Sequence, residues 1–153
     1  MDQALEIKKT AISYLSRREY GSSELCKKLS LRFSNRDEIA KIVKQLTVDG
    51  LQCDLRFARS CIESRVRKGY GRRHIESVLQ QKGLSRETVK QAFDERLIDW
   101  GEIITRTWQK KFSTSPPEDD KEKIKQTSFL LNRGFTTEQI KTLFSQLKEV
   151  TVF

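Results

Sequence analysis

No apolar run in this sequence approaches the roughly 20 residues that a membrane span needs. The opening residues Met1-Asp2-Gln3-Ala4-Leu5-Glu6 are polar and partly acidic, unlike a secretory signal. A cytoplasmic protein without a membrane contact is therefore expected. The three cysteines, Cys26, Cys53 and Cys61, are odd in number, widely spaced and form no Cys-x-x-Cys. That argues against a disulfide framework or a zinc site. Cys61 reads instead as a small buried hydrophobe. His74 is the only histidine and has no Cys beside it, so neither a metal centre nor a nucleophile–histidine pair is expected. No Walker A loop, Ser/His/Asp set or strand-borne carboxylate pair occurs, so the sequence predicts no enzyme and no cofactor. Strand signals are scarce too, and no Asn-Gly or Asp-Gly joins two alternating segments.

What the chain has is positive charge and helical periodicity. Its 153 residues suffice for one ordinary core, and carry 30 Lys and Arg against 21 Asp and Glu, a net charge of +9. The run from Arg56 to Ile75 holds seven of the cations, Arg56, Arg59, Arg65, Arg67, Lys68, Arg72 and Arg73, against one acid, Glu63. Phe57, Cys61 and Ile62 mark an apolar helix face in this run, with Arg56, Arg59, Glu63 and Arg67 largely opposite. Gly69-Tyr70-Gly71 forms the structural turn that ends the helix. The plain reading is a solvated face that keeps the protein soluble. Charge this dense favours a polyanionic partner, either phosphates or an acidic protein surface.

The helical pattern repeats. Val89, Ala92 and Phe93 match Ile39, Ile42 and Val43 at an offset of about 50, and Ile140, Leu143 and Phe144 at about 51. Tyr70-Gly71 matches Tyr20-Gly21. Ala58, Cys61, Ile62, Val66 and Tyr70 match Trp100, Ile103, Ile104, Trp108 and Phe112 at about 42. The offsets differ by an insertion around 113–120, which holds both prolines, Pro116 and Pro117, and leads into a helix with acids in its first turn. The i, i+8 spacing of Trp100 and Trp108 favours core over a base-stacking platform. Gln126 stands where the repeat predicts an apolar residue. Asn35-x-x-Glu38 and Thr136-x-x-Gln139 resemble capping boxes, Ser85 suits an N-cap, and Gly50, Gly83 and Gly134 suit C-caps. The expected fold is all-α: an elongated, curved tandem array of three three-helix repeats, at 1–51, 52–98 (the basic centre) and 99–153 (with the Pro-containing loop).

Asp54-Leu55-Arg56-Phe57-Ala58-Arg59, Arg65, Lys68-Gly69-Tyr70-Gly71-x-x-x-Ile75 and Leu79-x-x-Lys82-Gly83-Leu84 together resemble the signature of the RecX family of regulatory proteins. Tyr20-Gly21-Ser22-Ser23-Glu24-Leu25-x-x-Lys28-Leu29 resembles that family's first repeat, and Lys125-x-x-x-Phe129-Leu130-x-x-Arg133-Gly134-Phe135 its third. The turn Gly50-Leu51-Gln52-Cys53-Asp54 departs from it, since many relatives carry an aromatic there. The resemblance implies a regulator of homologous recombination, DNA repair and the SOS response. Such a protein binds the filament that the RecA recombinase forms on single-stranded DNA. It modulates, and most often inhibits, the ATPase, strand-exchange and co-protease activities of RecA. The basic residues named above are the expected contacts to that filament, and a monomer is expected. The alternatives are a nucleic-acid-binding helical repeat protein without a recombinase partner, and a helical adaptor that binds protein alone.

Overall fold

The computed structural model describes residues 2–113 and 115–151, with side chains through residue 149. Thr114, in the loop expected near 113–120, lies outside them. Helices and no strands occur among the described residues, so the fold is all-α. The helices are α1 (Gln3–Arg17), α2 (Ser22–Ser30), α3 (Arg36–Val48), α4 (Asp54–Arg67) and α5 (Arg72–Gln81), followed by α6 (Arg86–Asp94), α7 (Trp100–Phe112), α8 (Asp120–Asn132) and α9 (Thr137–Thr151).

Local chemistry sets their ends. Gly50, Gly69, Gly83 and Gly134 take φ of +81°, +90°, +87° and +97°, the left-handed region that glycine enters without steric cost. In each case the glycine N–H bonds three residues back and the next residue's N–H bonds five back. Gly134 reaches Leu131 O and Phe135 reaches Leu130 O, which is the Schellman arrangement. At the helix starts, Asn35 Oδ1 accepts from Glu38 N at 3.1 Å and Ser85 Oγ from Thr88 N at 3.1 Å. Thr136 and Gln139 make both halves of a capping box, at 3.1 and 2.8 Å.

The chain divides into two compact units. One holds the residues up to Cys61 together with Leu79–Glu95; the other holds Ile62–Val78 and the residues from Arg96 on. In the first, α1, α2 and α3 close around Ile7, Leu25, Leu29, Ile39 and Leu46. The N-cap of α2 is Gly21, which has no side chain to offer, and Asp54 Oδ1 accepts from Ser22 N at 2.8 Å in its place. Gln52 is 1% exposed. Its Oε1 accepts from Thr47 Oγ1 at 2.6 Å, and its Nε2 donates to Tyr20 O at 3.0 Å and Asp54 Oδ1 at 2.9 Å. The turn that departs from the family pattern is therefore held by a buried amide.

In the second unit α7, α8 and α9 close around Ile104, Trp108, Leu130, Phe135 and Leu143. Trp108 is 1% exposed and Trp100 packs half-buried against the same cluster, so both tryptophans serve the core. Gln126, the polar exception in the repeat, is 1% exposed because it satisfies the indole: its Oε1 accepts from Trp108 Nε1 at 2.7 Å. Its Nε2 donates to Ser115 O and Glu122 Oε1, each at 3.2 Å. Cys61 is only half-buried, because Ala58 and Ile62 hold the centre of the α4 stripe and leave it on the flank. Gly71 has a specific steric role. A Cβ there would lie 2.5 Å from the backbone carbonyl of Gly134. The two turns meet backbone to backbone, with Gly71 N donating to Arg133 O at 2.7 Å and Arg73 N to Gly134 O at 3.2 Å. Those carbonyls take up the free N–H groups at the start of α5.

Candidate nucleic-acid interface

The seven cations of the central run have different surroundings. Arg56 and Arg59 belong to the first unit, and both hold acids. Arg56 Nε donates to Glu19 at 3.1 Å and its Nη2 to Gly50 O at 2.8 Å. Arg59 forks onto Glu95 at 2.7 and 3.0 Å. The other five belong to the second unit. Arg72 donates to Glu76 at 2.6 Å, one turn along α5. Arg65 lies 3.4 Å from His74 Nε2. Arg67 has only a long contact to Glu63, at 3.4 Å. Lys68 and Arg73 are exposed, and their side chains meet no acid among the described residues.

Arg67 and Lys68 open onto a cleft of about 350 Å³ in the second unit. Arg106, Lys110, Lys111 and Arg133 complete a set of six cations around it, and no acid among the described residues lines it. Its floor is Gly69, Thr107 and Phe129. Thr107 is 7% exposed, with Oγ1 at 3.0 Å from Gly69 O and 2.8 Å from Ile103 O, so the end of α4 is tied to α7. Arg106 adds to this tie by donating to Val66 O at 3.2 Å, a carbonyl of the last turn of α4. The four added cations lie outside the central run. For the three on α7 the signal was present in the sequence, since Arg106 and Lys110 share a helix face at i, i+4 and Lys111 adjoins them. What the sequence did not show is that α7 runs beside the end of α4.

The aromatic groups behind the cleft hold its cations in place. The Arg133 guanidinium carbon lies 4.6 Å from the Tyr70 ring centre and 5.3 Å from that of Phe129. Lys111 Nζ lies 5.6 Å from the Phe129 centre, and Phe112 meets Phe129 edge to face at 5.4 Å. Tyr70 stacks on His74 at 4.1 Å with 15° between the planes. Burial lowers the His74 pKa, and the charges of Arg65 and Arg133 lower it further. The imidazole therefore stays neutral near neutral pH, and its Nε2 can accept from Arg65. Six like charges gathered in one cleft repel one another, and an anion placed among them relieves that repulsion. Among the described residues no group of His, Cys, Asp and Glu could hold a metal ion, and no helix is long and apolar enough to cross a membrane.

Fold and site thus define an all-α protein with a cleft lined by six cations. Family models described as "RecX, second three-helix domain" and "RecX, third three-helix domain" match residues 54–92 and 101–144. "Regulatory protein RecX" of Pseudomonas putida is 37% identical over 145 residues, covering 95% of this chain and 93% of that protein. Its counterpart in Pseudomonas fluorescens is 37% identical over 95% of this chain and 94% of its own length. The crystal structure of RecX from Lactobacillus salivarius shares the fold, with a TM-score of 0.74 at 21% identity over 95% of this chain and 96% of that one. A second crystal structure, of regulatory protein RecX, gives a TM-score of 0.76 at 20% identity over 93% of this chain and 71% of that one. This chain belongs to the RecX family of regulatory proteins.

Proposed function

We propose that this protein binds the filament that RecA forms on single-stranded DNA and inhibits the ATPase, strand-exchange and co-protease activities of that filament. The names of its relatives support a regulatory role. The observation that carries the reading is the cleft of six cations without an acid. On this reading the helices group as three units, 1–51, 52–98 and 99–153, and a cytoplasmic monomer acts without catalysis or cofactor. Arg56, Arg59, Arg65, Arg67, Lys68, Arg72 and Arg73 are the contacts to the filament on this reading, Arg56 and Arg59 being those already engaged with Glu19 and Glu95. Arginine suits this work because its planar fork matches phosphate and carboxylate oxygens.

The test is the single-strand-dependent ATPase of purified RecA, titrated with this protein. The expected result is a fall at protein levels well below that of RecA, as a bound regulator limits more than one subunit. A variant with Arg67, Lys68 and Arg73 all changed to Ala should lose most of the inhibition while its helical circular dichroism stays as it was. Full inhibition by that variant would remove the basic surface from the account. Tight binding to bare DNA with no effect on RecA would favour a nucleic-acid-binding protein without a recombinase partner.

A further inference from the structure

Several arginines of the chain have donors already committed to acids. Arg59 forks onto Glu95, Arg18 forks onto Glu24 at 3.1 Å on both arms, and Arg72 holds Glu76. Arg133 differs. Its guanidinium packs near the Tyr70 and Phe129 rings but makes no hydrogen bond or ion pair among the described residues. Its main chain is fixed as well, because Arg133 O accepts from Gly71 N at 2.7 Å and the next residue is the Gly134 turn. A guanidinium restrained by aromatic faces loses less freedom on binding than a free side chain, and its in-plane N–H groups remain open. Lys68, Lys110 and Lys111 share the cleft and are exposed.

We propose that Arg133 anchors a phosphodiester-binding subsite in this cleft, with Lys68, Lys110 and Lys111 taking the neighbouring phosphates of a single DNA strand. The proposal rests on the reading that the protein engages a DNA-bearing filament, and adds that it touches the DNA itself. Phosphate fits the chemistry better than carboxylate-bearing protein. The lysines are point charges without a preferred plane, and successive phosphates of a strand supply an anion to each. The apolar floor at Phe129 suits the sugar face. No base edge is read, so binding should be indifferent to sequence.

The experiment uses the full chain and a fluorescein-labelled oligo-dT, with anisotropy read across a salt series. Arg133→Gln should weaken binding about tenfold or more, the loss expected when a charge-assisted fork is removed. Arg133→Lys should recover little of this, since a lysine keeps the charge but not the fork. Changing both Lys110 and Lys111 to Gln should reduce the slope of log affinity against log salt by about 1.4, at roughly 0.7 per phosphate released from a single strand. These two lysines are exposed, so that variant remains informative even if Arg133→Gln disturbs packing around Tyr70. Lys44→Gln, an exposed change in the first unit, should leave affinity and slope as they were. Unchanged affinity and slope in every cleft variant would overturn the proposal. So would equal binding of wild-type protein to polyglutamate, which would assign the cleft to acidic protein. The RecA ATPase separates the two readings. A wild-type protein that leaves the ATPase unaltered fails the functional reading, whatever it does with oligo-dT. A wild-type protein that inhibits, beside cleft variants that bind oligo-dT normally, fails the subsite alone.

Discussion

Gln126 sits where a leucine would pack, yet a leucine would be worse. The indole N–H of Trp108 is buried, and Gln126 Oε1 is the acceptor it meets. Gln126→Leu should therefore destabilise the protein by about 1–3 kcal/mol, the usual cost of leaving a buried donor unsatisfied. Thermal unfolding followed by circular dichroism would show this, and Trp108→Phe in the same background should recover part of the loss by removing the orphaned donor. A melting temperature unmoved by Gln126→Leu would mean that water reaches the indole. The repeat made Gln126 visible in the sequence as an exception but gave no reason for it. The reason lies on another helix, and a pattern within one segment does not name a partner elsewhere. Gln52 is a second such case, a buried amide whose ties to Tyr20 and Thr47 appear only once α1, α2 and α3 are packed.

Helix boundaries were the most legible level, because the chemistry that sets them is local. Asn35, Ser85 and Thr136 cap their helices with their own side chains, and Gly50, Gly83 and Gly134 end helices through their own φ. The Asn35 box is half made: the Asn35 side chain takes the Glu38 N–H. Gly71 shows where local reading stops. The sequence marked it as part of a turn, and the structure adds that the turn needs room for the carbonyl of Gly134. Gly71→Ala should cost about 1–3 kcal/mol, the range for forcing extra atoms into a packed site, because a backbone cannot rotate aside as a side chain can. Urea denaturation gives the measurement, with Gly101→Ala as comparison: its nearest contact is the tip of Asp99 at 3.3 Å, so it should be nearly neutral. Equal midpoints for the two variants would show that the turns part without cost.

At the scale of the whole molecule, the sequence announced a basic protein but not the place where the charge is bare. Four of the seven cations in the central run carry an acid partner, while Arg106, Lys110, Lys111 and Arg133, far along the chain, meet none among the described residues and line the cleft. Charge density along a sequence counts cations. It does not count the acids that folding brings to them, as Glu19 comes to Arg56 and Glu95 to Arg59. Global stability should weaken in acid for two reasons. Burial and two arginines hold the His74 pKa below its ordinary 6.5, so the unfolded chain takes up that proton first. The contribution of His74 is complete above about 6.5 and falls as pH drops below it. Burial alone would raise the Glu24 carboxyl, but Arg18 and Lys82 outweigh it and hold it below its ordinary 4.5, so a further loss follows below that pH. Urea midpoints over a pH series should decline through both windows, and His74→Gln should flatten the upper one. A midpoint that rises on acidification from neutral would contradict the neutral, partly buried imidazole.

The contact between Gly71 and Arg133 has one more consequence. A single amide proton joins residues 62 apart in the chain, through a bond of 2.7 Å. Its exchange with deuterium should be slow only while the turn after α8 rests on the start of α5. Glycine amides resonate apart from most others in a nitrogen–proton spectrum, so that proton can serve as a clock for the docking. Its protection would report when the third helical segment joins the second during folding, and whether that joint loosens when an oligo-dT is added.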